Sequence, residues 1–238
     1  MPYDLSNFDL GGMLQCSGEI AGVPRHARTM EEAAQAFVEY FRESFRDPET
    51  GAASCPLVRF YRTIELERLA PATRAFAIAQ LDGASPAPGL QCLTLLATAG
   101  DEAEWNSVSL SRGHRAIPLT SIEVVRQAPM IAALIEQFGL SIAEVLNPAP
   151  TVLRAREGKS YNVFHVEDAP SSPLIPARDG FVVPYGIRSV VGFGGLLWSG
   201  DLYAIILFSR AHVNEERANL FRMLALDVRA ALRPLRGS

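Results

Sequence analysis

The residues of this 238-residue chain from which chemistry could be built are few and scattered. Its four histidines, His26, His114, His165 and His212, form neither H-x-x-x-H nor H-E-x-x-H, the spacings that put two imidazoles on one helix face around a metal. Its three cysteines, Cys16, Cys55 and Cys92, are odd in number, far apart and without a C-x-x-C, so neither a disulfide framework nor a structural zinc site is expected. Cys55 and Cys92 flank strands that could be neighbours, but no basic residue stands near either in sequence to lower a thiol pKa. The glycine-rich "GFGG" at 192–195 lacks the G-x-x-x-x-G-K-[ST] of a phosphate loop and lies inside a strand pattern. It reads as a bulge or a close approach of two backbones. No nucleophile elbow with Ser, His and Asp partners is present.

What remains is a set of residues suited to contacting a ligand. Arg59 and Tyr61 share one face of a strand with Leu57 and Thr63. A buried mid-strand arginine must meet a carboxylate or an anionic ligand, whereas on a partly solvated face it needs neither. His165 and Tyr161 alternate onto one face of "YNVFHV"; the imidazole there is a ligand contact, a haem ligand or a hydrogen-bonded core histidine. Trp105, Arg112 and Tyr185 fall in loops that would cap a sheet and complete the candidate ligand-binding set. The tryptophan can equally be a hydrophobic plug. No cofactor is indicated by these residues.

The elements that must position them are legible from pattern. Thr29 and Glu32 make a T-x-x-E capping box, followed by Met30, Ala33, Ala34, Phe37, Val38, Phe41 and Phe45 at helical spacing over 29–46. Residues 56–64 and 90–100 read as strands, with 65–82 mostly helical and Pro71 at a start or break. Residues 101–119 are polar and irregular. Thr120 and Glu123 suggest a second capping box, opening a helix that Pro129 kinks or splits. A short helix over 141–146 and a strand over 160–166 follow, then a Pro-rich connection over 167–184. "GIRSVVGFGGLL" and "LYAIILFS" form an apolar hairpin around Ser199-Gly200-Asp201. Asn214 caps a final amphipathic helix with Glu215 and Glu216 in its first turn. Near the start, Leu5, Phe8, Leu10, Met13 and Leu14 suggest a short amphipathic helix weakened by Gly11 and Gly12.

Composition narrows the class. At 48% hydrophobic and 20% charged residues, the chain suits one large domain able to bury a core unaided. A net charge of −4 favours neither nucleic acid nor an anionic membrane as partner. The N-terminus lacks a basic segment followed by an apolar run, and no apolar run approaches the ~20 residues of a membrane span. A cytoplasmic location is expected.

The closing sequence of Arg188-Ser189, apolar strand, glycine turn, apolar strand and capped helix resembles the C-terminal half of a GAF domain. The early helix and strand fit the opening of that fold, so the resemblance spans roughly 25–235. "YNVFHV", "VVPYGIRSV" and "GHRAIPL" look like the GAF-like sensor regions at the N-termini of bacterial sensor histidine kinases and serine phosphatases. The resemblance implies an α/β fold (α+β): a central antiparallel sheet, terminal helices packed on one face and a loop-capped pocket on the other. Residues 1–28 then form an extension or partner-contact segment and 29–235 a single sensor domain. It further implies a non-catalytic regulatory role, with a small-molecule ligand, a signalling output partner in cis or in trans, and a homodimer formed through the terminal helices. Two other readings stand on the same fold. One is a thiol-dependent small-molecule reductase, since one GAF-like family reduces free methionine sulfoxide, although its cysteine arrangement is not matched here. The other is a scaffold whose pocket is filled by side chains such as Phe164, Phe193 and Trp198.

Overall fold

The computed structural model describes residues 2–111, 114–148 and 161–235. Its centre is a six-stranded antiparallel sheet in the order β3-β2-β1-β6-β5-β4. The strands are β1 (Leu57–Glu65), β2 (Gln91–Gly100), β3 (Ala116–Pro118), β4 (Phe164–Val166), β5 (Ser189–Leu196) and β6 (Leu202–Ser209). Every residue of β2, β5 and β6 is buried. Sheets covered on both faces carry continuous apolar runs rather than alternation, which is what the hairpin sequence displays.

One face carries the helices α1 (Leu10–Ile20), α2 (Met30–Ser44) and α7 (Glu215–Ala231). α2 lies on β1 and β2, α7 on β5, and α1 on α7. Thr29 caps α2 by accepting from the Glu32 amide at 3.2 Å, and Asn214 caps α7 by accepting from the Arg217 amide at 3.1 Å. The core beneath is aromatic. Phe41 meets Phe193 edge-on at 5.2 Å, and Phe221 lies 5.2 Å from Phe193 and 5.7 Å from Phe45. Each such buried ring stabilises by about 1.5–3 kcal/mol through burial.

The first residues join this layer. The expected amphipathic helix exists as α1, capped by Asp9, but its buried face is Met13, Cys16 and Ile20. Leu10 and Leu14, expected inside, are 60% and 61% exposed, because the i, i+3, i+7 stripe that meets α7 starts at Met13. Tyr3, Leu5 and Phe8 are buried in the same core as α2 and α7, and the Tyr3 amide donates to the Ser44 carbonyl at 2.6 Å. Tyr3, Leu5, Phe8 and the buried face of α1 thus join the core beneath α2 and α7.

The opposite face carries α4 (Ile122–Arg126), α5 (Pro129–Gln137), α6 (Ile142–Leu146) and a single π-helical turn, Arg178–Val182. Pro129 does split the expected helix, opening α5 at its first turn. The cap of α4 is Ser121, whose hydroxyl accepts from the Val124 amide, one residue later than the expected Thr120. Beside the edge strand β3, α3 (Pro71–Ala79) starts at its proline, where a missing N–H costs no helical bond. β3 lies within the stretch that reads as irregular; three residues are too short to give a period.

Candidate functional site

Strand alternation builds the floor of a cavity. Val58 and Phe60 point into the helix-side core, while Leu57, Arg59 and Tyr61 point the other way. Beside them β6 contributes Leu202, Ala204, Ile206 and Phe208, and β2 contributes Leu93. α5 stands over this floor with Met130, Ile131 and Leu134, and residues 173–177 with Phe181 close the roof. The cavity volume is about 830 Å³, within the range of small-molecule sites.

Its mouth is aromatic. Trp105 lies 4.5 Å from Tyr185 and 5.5 Å from Phe181, and Phe181 meets Phe208 edge-on at 5.1 Å. Trp105 folds back onto the sheet end because Gly100 lets it: a Cβ there would stand 2.8 Å from the Trp105 ring. Asn106 locks the turn, accepting from the Gly100 amide at 3.0 Å and donating to the Gly100 carbonyl at 2.9 Å. The Tyr185 hydroxyl donates to Glu102 at 3.1 Å, which raises the phenol's pKa.

A charged joint lies beside the mouth. The Asp101 carboxylate accepts from Arg42 of α2 at 2.7 Å and from Arg210 at 2.6 Å. Arg210 Nε also donates to the Tyr185 carbonyl at 3.0 Å. Burial alone pushes the Asp101 carboxyl up, but the bonds from Arg42 and Arg210 outweigh it and hold the group below the usual carboxylate range. One side chain thereby links the helix layer to the strand ends and the cavity mouth.

Of the residues singled out from sequence, the structure brings Arg59, Tyr61, Trp105 and Tyr185 to this cavity. Arg112 lies outside the described residues. Tyr161 and His165 are not in the described lining, and they do not share a face as the strand pattern suggests. The strand begins only at Phe164, so alternation cannot be carried back to Tyr161. Tyr161 packs in the cavity-side core against Gly195, which adopts φ +154° and whose Cβ would stand 2.2 Å from the Tyr161 ring. His165 turns to the helix side: its Nε2 lies 2.7 Å from the Val213 carbonyl oxygen, and its amide donates to Gln137 at 2.8 Å. "GFGG" is therefore a packing device, as its strand context implies.

Much of the lining was missed because it is apolar. Met130, Ile131, Leu134, Phe181 and Phe208 carry no chemical flag, and their helical or strand spacing reads as core. The described lining contains no Asp, Glu, Lys or Cys, and Arg59 is its one arginine. Among the described residues there is also no group of three potential metal ligands.

The three thiols sit elsewhere. Burial pushes Cys16 up to about 11, Cys55 up to about 12 and Cys92 up to about 11. Cys55 precedes β1 near the Leu57–Gly100 pair, whereas Cys92 faces Ile64 at the other end of the same ladder. That places them roughly 20 Å apart along the strands.

No protein-family model matches the chain, and no curated protein sequence matches it. Among solved structures, the free methionine-R-sulfoxide reductase from Neisseria meningitidis, in complex with its substrate, is similar over 99% of this chain and 97% of its own. That match has a TM-score of 0.50 at 12% identity. The GAF domain from a Coxiella burnetii phosphoenolpyruvate-protein phosphotransferase covers 94% of both chains at TM-score 0.47 and 13% identity. A phycocyanobilin-bound GAF domain from a cyanobacterial phytochrome covers 94% of this chain and 95% of its own at TM-score 0.43 and 10% identity. At 12% identity the likeness to the reductase speaks to fold alone, and the six-stranded antiparallel sheet with helices on both faces is the α/β architecture expected from the sequence.

Proposed function

We propose that this chain is a non-catalytic sensory domain of bacterial signal transduction, located in the cytoplasm, that binds a small molecule in the cavity between β1, β6 and α5. The observation that carries the reading is the cavity itself: about 830 Å³, largely apolar, walled by short helices and loops, on the sheet face opposite the terminal helices. Occupancy changes how the mouth packs. The Asp101 joint offers a route from Tyr185 to α2, and a bias in helix packing is read by an output partner. In this reading two copies associate through their terminal helices, where Leu10, Leu14 and Met223 are exposed.

The reductase alternative is less favoured by the thiols. All three are buried, protonated at neutral pH and absent from the described lining, while thiolate is the reactive form. Slow modification of the native protein by a thiol reagent at pH 7, with all three reacting in denaturant, is the expected result. Rapid reaction of Cys55 or Cys92 in the folded state would revive the reductase. The filled-scaffold alternative is not favoured either, because Phe193 packs into the helix-side core and Phe164 beside the cavity rather than within it.

The test is native mass spectrometry of the freshly purified protein with an absorption spectrum of the same sample, followed by a thermal-shift screen of metabolites. A co-purifying mass, or a metabolite that raises Tm in a concentration-dependent way, is expected. A protein that stays empty and shifts with no compound argues for a scaffold acting through protein contacts alone.

A further inference from the structure

The cavity floor holds a positive charge with too few partners. Arg59 rises from the middle of β1 among apolar side chains, and among the described residues it forms no ion pair. Its Nη1 donates to the Tyr61 hydroxyl oxygen at 3.3 Å, and its buried Nε has no acceptor. Arg59 is half-buried and its guanidinium cannot shed its proton, so on the cavity floor it stands as a ready partner for an anion. Tyr61 has its oxygen engaged by Arg59, which leaves its O–H to donate; burial raises its pKa, so that proton is retained. Directly across the ladder from Arg59 stands Thr98, whose buried hydroxyl also has no partner. Donors exceed acceptors on this patch of sheet.

We infer that the cavity takes an amphipathic monocarboxylate, its acyl or aromatic body among the apolar walls and its carboxylate held by Arg59 and Tyr61. The inference rests on the reading of the cavity as a ligand site. Charge matching favours a single negative charge, because the described lining supplies one arginine, one histidine and no lysine. A phosphate monoester brings a charge of about −1.5 to −2 and three strong acceptors, more than one guanidinium and one phenol satisfy. The fork of an arginine also matches a carboxylate in two parallel hydrogen bonds.

The experiment is calorimetric titration of the full chain with two matched pairs, decanoate against 1-decanol and 2-naphthoate against 2-naphthylmethanol. In at least one pair the acid is expected to bind about tenfold or more tightly than its alcohol, the worth of a charge-assisted hydrogen bond. Arg59→Gln should bring that acid down to the level of the alcohol and leave the alcohol within about twofold of wild type. Arg59→Lys, which keeps the charge but not the fork, should retain part of the preference and serves if the glutamine variant does not fold. Equal binding of acid and alcohol by the wild type in both pairs overturns the inference and leaves the cavity a ligand site. So does a preference that survives Arg59→Gln in a folded variant. Failure of all four compounds and of the neutral dye Nile red to bind folded protein overturns both readings.

Discussion

The two faces of the sheet are built from the same strands and end differently. On the helix side, three helices of 11, 15 and 17 residues lay long stripes over the strands, and their aromatic rings interlock. On the other side, α4, α5 and α6 have 5, 9 and 5 residues. Pro129 interrupts them, and short helices joined by turns cannot tile a twisted sheet completely. The cavity is what they leave. Both faces are apolar, so element length, more than hydrophobicity, sets how completely each is covered.

The largest expected effect is at the hairpin end, where Asp201 accepts from Arg62 Nη2 at 2.7 Å and from Ser199 at 2.7 Å. The pair is nearly buried, with side-chain exposures of 10% and 7%. Asp201→Ala leaves the Arg62 charge uncompensated and should cost about 3–5 kcal/mol in urea unfolding. The double replacement Arg62→Met with Asp201→Leu should recover most of that loss. A double variant as unstable as the single one would mean that Ser199 and the turn, rather than charge, carry the effect.

A pair of truncations distinguishes the two faces. Phe193→Ala, in the solid face, should cost about 4 kcal/mol, because its neighbours on α2 and α7 cannot collapse into the gap. Ile206→Ala, which borders the cavity, should cost about 2 kcal/mol, since part of its surface already lacks partner atoms. Equal losses would break the distinction.

How much of this was legible depended on whether pattern or partnership decided it. The alternation of Leu57, Arg59, Tyr61 and Thr63 against Val58, Phe60, Arg62 and Ile64 is local, and it puts Arg59 and Tyr61 on the cavity side as read. Thr29 and Asn214 act through bonds to residues three away and Pro71 through its own ring, and all three mark their helices correctly. β3 could not be read so, because its pairing with Cys92–Thr94 is set by the neighbouring strand. The buried face of α1 was misread for the same reason: α7 chooses it, from far away in sequence. The cavity is the extreme case. Met130 and Phe181 look like core residues, and only the three-dimensional arrangement turns them toward an empty volume.

The smallest expected effect is at the joint between the faces. The Asp101 pKa is depressed in the folded state, so its contribution to stability is complete above the unfolded carboxylate pKa and is lost as pH falls through the folded value. Asp101→Asn should therefore cost about 1 kcal/mol or less at pH 7, given its partial exposure. The gap between variant and wild type should begin to narrow near about pH 4 and close only once pH has fallen through the depressed folded value, where both side chains are neutral. Denaturant melts at several pH values would reveal this; a constant gap would mean shape, not charge, matters there.

The sheet has one more property, visible at its margins. β3 and β4 are three residues long, and β3 ends in Pro118, which has no N–H to offer. Margins this brief are poor templates for an incoming strand. A protein that docks here by adding a strand would find little to pair with, and growth of the sheet from copy to copy is discouraged by the same shortness. Recognition of this domain by another protein is thereby directed to side chains on helices and loops, where specificity can be written residue by residue.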